Sequence, residues 1–178
     1  KMRQIKINST TGSELVTTSD VKSYARIDTS SDDTIIGRMI VQARIWCENY
    51  ISRDIVAKGR TYYVPKTSGI FDIPFAPIAS IVSVTIDGVA TTDYTIEGLD
   101  NETIDLDGYA DKVKVTYVTA GLSDDLLKQA ILQLAATYYD NRSELMDANK
   151  SIVGIDAPIS VKNILSSYRS MYLWIQEN

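Results

Sequence analysis

Three groups of carboxylates are where this chain can be expected to hold a metal or run acid–base chemistry: Asp32-Asp33, Asp124-Asp125, and the run Asp100, Glu102, Asp105 and Asp107. A metal site needs several oxygen donors converging at a fixed spacing. The run contains Asp105-Leu106-Asp107-Gly108 but lacks the remaining spacing and the distal Glu of an EF-hand loop, so it reads as a solvated sheet edge. The two pairs each precede an apolar-periodic stretch, where the positive end of a helix dipole favours carboxylates; they read as helix starts. The chain has no histidine. That removes the commonest general base, the commonest zinc ligand and every Ser-His-Asp or Cys-His arrangement. The single cysteine, Cys47, rules out an internal disulfide and falls on the apolar face of a helical stretch, as a buried, inert thiol does. There is no Gly-rich phosphate loop, Walker lysine or G-x-S-x-G elbow. No catalytic residue, cofactor or metal is expected; a metal-dependent hydrolase built on the acidic run is the competing class.

Composition narrows the partners. A chain of 178 residues can bury one sizeable core with a subdomain attached. Its net charge of −5 argues against nonspecific gripping of nucleic acid, which draws on clustered Lys and Arg to release counterions. The acidity is local: over residues 59–120, nine carboxylates face only Arg60, Lys66, Lys112 and Lys114. No apolar run reaches the roughly 20 residues of a spanning helix, and residues 1–8 lack the apolar core of a signal peptide. The expectation is a soluble protein made and kept in a cytoplasm, with no membrane partner.

The elements that must carry these residues follow from periodicity. Over residues 123–142, Leu127, Ala130, Ile131, Leu134, Ala135 and Tyr138 line one helical face, with Ser123 placed to cap the first turn. Thr17, three residues before Asp20, predicts a capping box and a short helix over 20–26. Ser30 repeats the device with Asp33, and a long helix follows to about Ser52 with a face of Ile36, Met39, Ile40, Ala43, Trp46, Cys47 and Tyr50. The two long stripes are natural partners for each other. Between them the period drops to two: short strands closed by Pro65, Gly69 and Pro74, a longer one over 78–86 with Val82, Val84 and Ile86 on one side, a tight turn at Asp87-Gly88, and further strands to Val118. Residues 2–7 form a short strand or an ordered arm. A polar connection follows Arg142, and Pro158 and Ser160 introduce a last, detachable helix with an apolar stripe of Ile164, Leu165, Tyr168, Met171, Tyr172 and Ile175. The fold class is α+β, a helical core of two long packed helices plus short helices with an inserted, mostly antiparallel β-sheet. The segments are 1–54 (arm and helical core), 55–120 (β insert), 121–145 (core helix) and 146–178 (linker and terminal helix).

Surface chemistry points to contact rather than catalysis. Tyrosine is the abundant aromatic, eleven residues against two each of Phe and Trp. Tyr138, Tyr139, Tyr168 and Tyr172 serve either as the rim of an amphipathic core or as contact residues. Arg169 and Trp174 make the terminal helix the best single interface candidate. Arg142 either neutralises the carbonyl end of its helix or pairs across a subunit boundary.

Four blocks, in order, carry a resemblance: Thr18 to Asp28 (TSDVKSYARID) with Asp32-Asp33 and the helix after it; Phe75 to Ile81 (FAPIASI); Val113 to Tyr117 (VKVTY) leading through Ala120-Gly121 into the helix ending Tyr139-Asp140-Asn141-Arg142; and, more weakly, Ile159 to Arg169. Together they resemble the head-tail connector, or adaptor, proteins of tailed bacteriophages. The resemblance implies a structural virion protein that forms a twelvefold ring below the portal, extends the DNA channel and offers a platform to a stopper or tail-completion protein. Its location would be the portal vertex, after assembly in the host cytoplasm. It also implies a C-terminal segment that reaches the portal, which makes Ile164, Leu165, Tyr168, Arg169, Tyr172, Trp174 and Arg142 the candidate portal or subunit contacts. A ring around double-stranded DNA must let the duplex pass without binding it, and Asp100, Glu102, Asp105 and Asp107 are the candidate acidic lumen or tail-facing rim. The alternative is a DNA-packaging accessory or general interaction module that never enters the virion.

Overall fold

Hydrophobic periodicity changes from helical to alternating and back along this chain, and the secondary structure follows it. The computed structural model describes residues 2–141 and 156–169. In order the elements are β1 (Gln4–Thr10), α1 (Thr18–Ala25), α2 (Asp33–Ile51), β2 (Lys58–Thr67), β3 (Ile70–Asp72), β4 (Ile78–Ile86), β5 (Val89–Thr91), β6 (Thr95–Glu97), β7 (Thr103–Asp105), β8 (Ala110–Thr119), α3 (Asp125–Asp140) and α4 (Ile159–Ser166). The fold is mixed α+β. The chain divides into a β unit, Arg53–Leu122 joined by the chain up to Ser13, and a helical unit, Glu14–Ser52 joined by the described chain from Ser123 on.

In the helical unit α2 and α3 pack on each other, with α1 and α4 against them. All six residues of the expected α3 stripe are buried. On α2, Ile36, Ile40, Ala43 and Cys47 are buried, but Met39, Trp46 and Tyr50 are only half-buried and the stripe turns towards Arg44, Glu48 and Ile51. The turn is possible because Arg44 is not a bare charge. Its Nε donates to both oxygens of Glu14 at 2.9 Å and its Nη1 to Glu48 Oε2 at 2.7 Å, and paired charges tolerate burial.

The helix starts show which local signals hold. Thr17 caps α1 in a full capping box: Thr17 Oγ1 accepts from the Asp20 N–H at 3.1 Å, and the Asp20 carboxylate accepts from the Thr17 N–H at 2.8 Å. Thr17→Ala is expected to lower stability by about 1 kcal/mol in urea unfolding; an unchanged midpoint would make the box ornamental. At α2 the expected Ser30 cap is not formed. Ser30 offers only its carbonyl, to the Asp33 N–H, while Asp32 accepts the Tyr139 hydroxyl at 2.6 Å and Asp33 pairs with Lys22 at 2.9 Å. At α3, Asp124 takes the capping role expected of Ser123, accepting the Leu126 N–H at 2.8 Å.

The β unit holds a five-stranded sheet, β1-β2-β8-β4-β5, and a three-stranded sheet, β3-β7-β6, antiparallel throughout. One apolar cluster draws on both, including Tyr62, Val64, Phe71, Ile104, Val115 and Tyr117. Of the two readings of the N-terminal segment, a short strand or an ordered arm, the strand forms: it pairs with β2 from Gln4 opposite Tyr63 to Thr10 opposite Lys58, and it belongs to the β unit rather than to the helical part of the core. Strand β2 also runs past Pro65, where the ladder with β8 steps from Val64–Val113 to Lys66–Asp111 and omits Pro65 and Lys112. A residue without an N–H is tolerated where no ladder bond is made. Val82 does not share a face with Val84. Irregularities between Ile78 and Ser80 and between Ile81 and Ser83 reset the alternation, leaving Val82 63% exposed and Val84 buried. The Asp87-Gly88 turn joins β4 to β5 with both residues at positive φ, 49° and 88°, as a type I′ hairpin requires.

Candidate assembly surfaces

Three of the four carboxylates of the acidic run are engaged within the β unit. Asp100 Oδ2 accepts from Arg53 Nη2 at 2.6 Å, and Glu102 turns back to accept the Asp100 N–H at 2.8 Å. Asp105 accepts the Asp107 N–H at 2.9 Å, closing an Asx turn in which Asp107 sits at φ 55° and faces solvent. Among the described residues no three His, Cys, Asp or Glu side chains are grouped to hold a metal ion. The Cys47 thiol is pushed up to about 12, first by burial and then by the neighbouring Glu48 carboxylate. At neutral pH it is a thiol rather than a nucleophilic thiolate.

The most concentrated chemistry lies where periodicity gave no hint of it. Asp54 is fully buried and accepts from four donors: Arg60 Nε at 2.7 Å, Arg60 Nη2 at 2.6 Å, Lys58 Nζ at 2.9 Å and Thr119 Oγ1 at 2.9 Å. Arg60 also lies over the Phe75 ring, 3.7 Å from its centre. Burial pushes the Asp54 carboxyl up. Hydrogen bonds from Arg60 and Lys58, with their charges, outweigh it and hold the group below the usual carboxylate range. An ionised carboxylate saturated by donors and shut off from solvent pins strands together; it does not turn over a substrate. The signal in the sequence was three charges, Asp54, Lys58 and Arg60, spaced around the apolar Ile55-Val56-Ala57.

The expected contact residues separate into three cases. Leu165 is fully buried with Val161 against its own helical unit, so it is not a surface residue; an apolar pair four residues apart finds cover on α3 before any partner arrives. Ile164 is half-buried. Tyr168 donates its hydroxyl to the Asp124 carboxylate, a bond that is the main reason the phenol is pushed up to about 12 and Asp124 is held low. Arg169 is exposed and lies over the Tyr50 ring, 5.9 Å from its centre. Arg142, Tyr172 and Trp174, with Met171 and Ile175, lie outside the described residues.

No curated protein sequence matches this chain. Several solved chains share its fold. One is from the neck of an empty GTA particle, with a TM-score of 0.70 at 16% identity over 94% of this chain and 95% of that one. Another, from the virion of a native gene transfer agent (GTA) particle, has a TM-score of 0.67 at 14% identity over 94% and 95%. A third, from the neck of a native GTA particle, has a TM-score of 0.56 at 14% identity over 91% and 95%. Identities this low speak for the architecture alone. Residues 16–114, from the start of α1 through α2 and into β8, match the model of one family, and on that match over more than half its length this chain belongs to the Phage gp6-like head-tail connector proteins.

Proposed function

We propose that this head-tail connector works as a ring of about twelve copies at the portal vertex, below the portal protein and above a stopper or tail-completion protein, after assembly in the host cytoplasm. The carrying observation is the family match over residues 16–114, which takes in both α1–α2 and most of the β unit. The neck of a native GTA particle, whose chain shares this fold, was computed with C12 symmetry. Repeated modest contacts around a ring sum to tight attachment, so no deep pocket is required. Electron microscopy of purified virions should find the chain at the portal vertex in portal-like copy number; particles devoid of it would overturn the reading.

Portal contact is assigned to the end of the described chain, half-buried Tyr168 and exposed Arg169, and, from sequence alone, to Tyr172 and Trp174. The channel role narrows to Asp107, which faces solvent, with Asp105 beside it in the same turn; Asp100 is paired with Arg53, and Glu102 accepts the Asp100 N–H. Carboxylates facing the duplex keep it from sticking. Asp105→Asn with Asp107→Asn preserves the Asx turn and the positive φ that asparagine tolerates. The double variant is expected to melt like wild type and to slow DNA ejection from particles; ejection at the wild-type rate would remove these residues from the channel.

A further inference from the structure

We propose that the solvent side of α2 is the surface on which one copy grips the next, with Gly37 as the point of close approach; the inference rests on the ring reading above. The inward side of α2 is already filled by Ile36, Ile40, Ala43 and Cys47. On the opposite side Thr34, Gly37, Arg38, Val41, Gln42 and Ile45 line a shallow open groove. Thr34, Arg38, Val41 and Ile45 follow a second i, i+4, i+7, i+11 stripe, and Val41 and Ile45 are 37% and 44% exposed. A helix with apolar residues on both sides needs two covers, and its own unit provides one.

Gly37 identifies the missing cover as something that comes very near. A Cβ at this position would meet nothing within 4 Å, so nothing among the described residues requires glycine there. In a helix interior glycine is the least favourable residue after proline. What it offers is a bare backbone against which a neighbouring element can lie closely.

Charge selects the occupant. Arg38 is the groove's one charged residue and forms no ion pair among the described residues. At the start of α3 the same chain presents the reverse combination, exposed Asp125 beside Leu126, which is 54% exposed. A cyclic ring is built from head-to-tail contacts between two different surfaces of one chain. The cationic, apolar groove of α2 and the anionic, apolar start of α3 are complementary in that sense, so the occupant is a second copy.

The test scores rings on portal-bearing particles by electron microscopy, with native mass spectrometry of the free protein alongside. The two groove-blocking variants are Gly37→Leu and Val41→Lys with Ile45→Lys, all at exposed or open positions, so circular dichroism melts are expected to match or exceed wild type. Both should lose the ring, Arg38→Asp should weaken it, and Arg38→Asp combined with Asp125→Arg should recover it. Rings that persist in the folded variants would overturn this surface and leave the ring reading standing. Failure of the charge exchange to recover the ring would overturn the pairing with α3. Variants that ring normally but no longer enter particles would give the groove to another virion protein, against the proposal. Wild-type protein that forms no ring in either setting would overturn both readings together.

Discussion

Asp54→Asn is expected to destabilise the β unit by about 3–5 kcal/mol, the cost of removing one partner from a buried ionic cluster. The substitution takes from Lys58 and Arg60, each at most 5% exposed, a charge that helps offset their desolvation. It also disturbs Thr119, which ties β8 to the same carboxylate. Urea unfolding followed by circular dichroism measures the effect; a loss under about 1 kcal/mol would mean that water or another group replaces the carboxylate. Lys112→Ala, at a solvent-exposed pair with Asp87, is the control and should leave the midpoint in place.

The same network sets an acid limit. The Asp54 pKa in the folded state lies below its ordinary value of 3.8, so between the two values the unfolded chain binds more protons than the folded one. Stability then rises with pH through that window. The Asp54 contribution is complete above the unfolded value and is lost as pH falls through the folded one. Wild-type protein should therefore lose stability steeply below about pH 4, and Asp54→Asn should show a shallower slope there. Equal slopes would mean that other carboxylates govern acid unfolding.

Leu165→Ala is expected to undock α4. Truncating a fully buried leucine costs about 2–5 kcal/mol; because α4 is a short element packed on α3 and α2, the loss should fall on its docking first. Hydrogen exchange of the α4 amides should accelerate markedly while the α2 and α3 amides stay protected. Were Leu165 a surface contact for the portal, the free protein would be indifferent to the change and only assembly would suffer. Unchanged α4 exchange in the variant would restore that view.

How far the sequence was legible depends on the range of the interaction. The α3 stripe, the Thr17–Asp20 capping box and the Asp87-Gly88 hairpin were readable because each is settled within a few residues, by side-chain direction or by which residues tolerate a positive φ. For the opposite reason, Ser30 and Ser123 do not cap their helices. Asp124 is itself a capable cap one residue further on, and Asp32 and Asp33 are drawn to Tyr139 and Lys22, partners that a local pattern does not reveal. Val82 fits an alternating strand until two irregularities in β4 change the phase, and those depend on pairing with β8.

By itself the sequence determined the order and type of the main elements, the lack of any histidine, and the resemblance to the connector family, because these reside in residue identity and short spacing. Only the tertiary structure decided that Asp54 would meet Thr119, 65 residues away, that β1 would join the sheet, and that Leu165 would face inwards. The physical reason is that periodicity says a side must be covered without saying by what. The cover is chosen when distant segments close on one another, and a buried charge survives only where that closure brings its counter-charge with it.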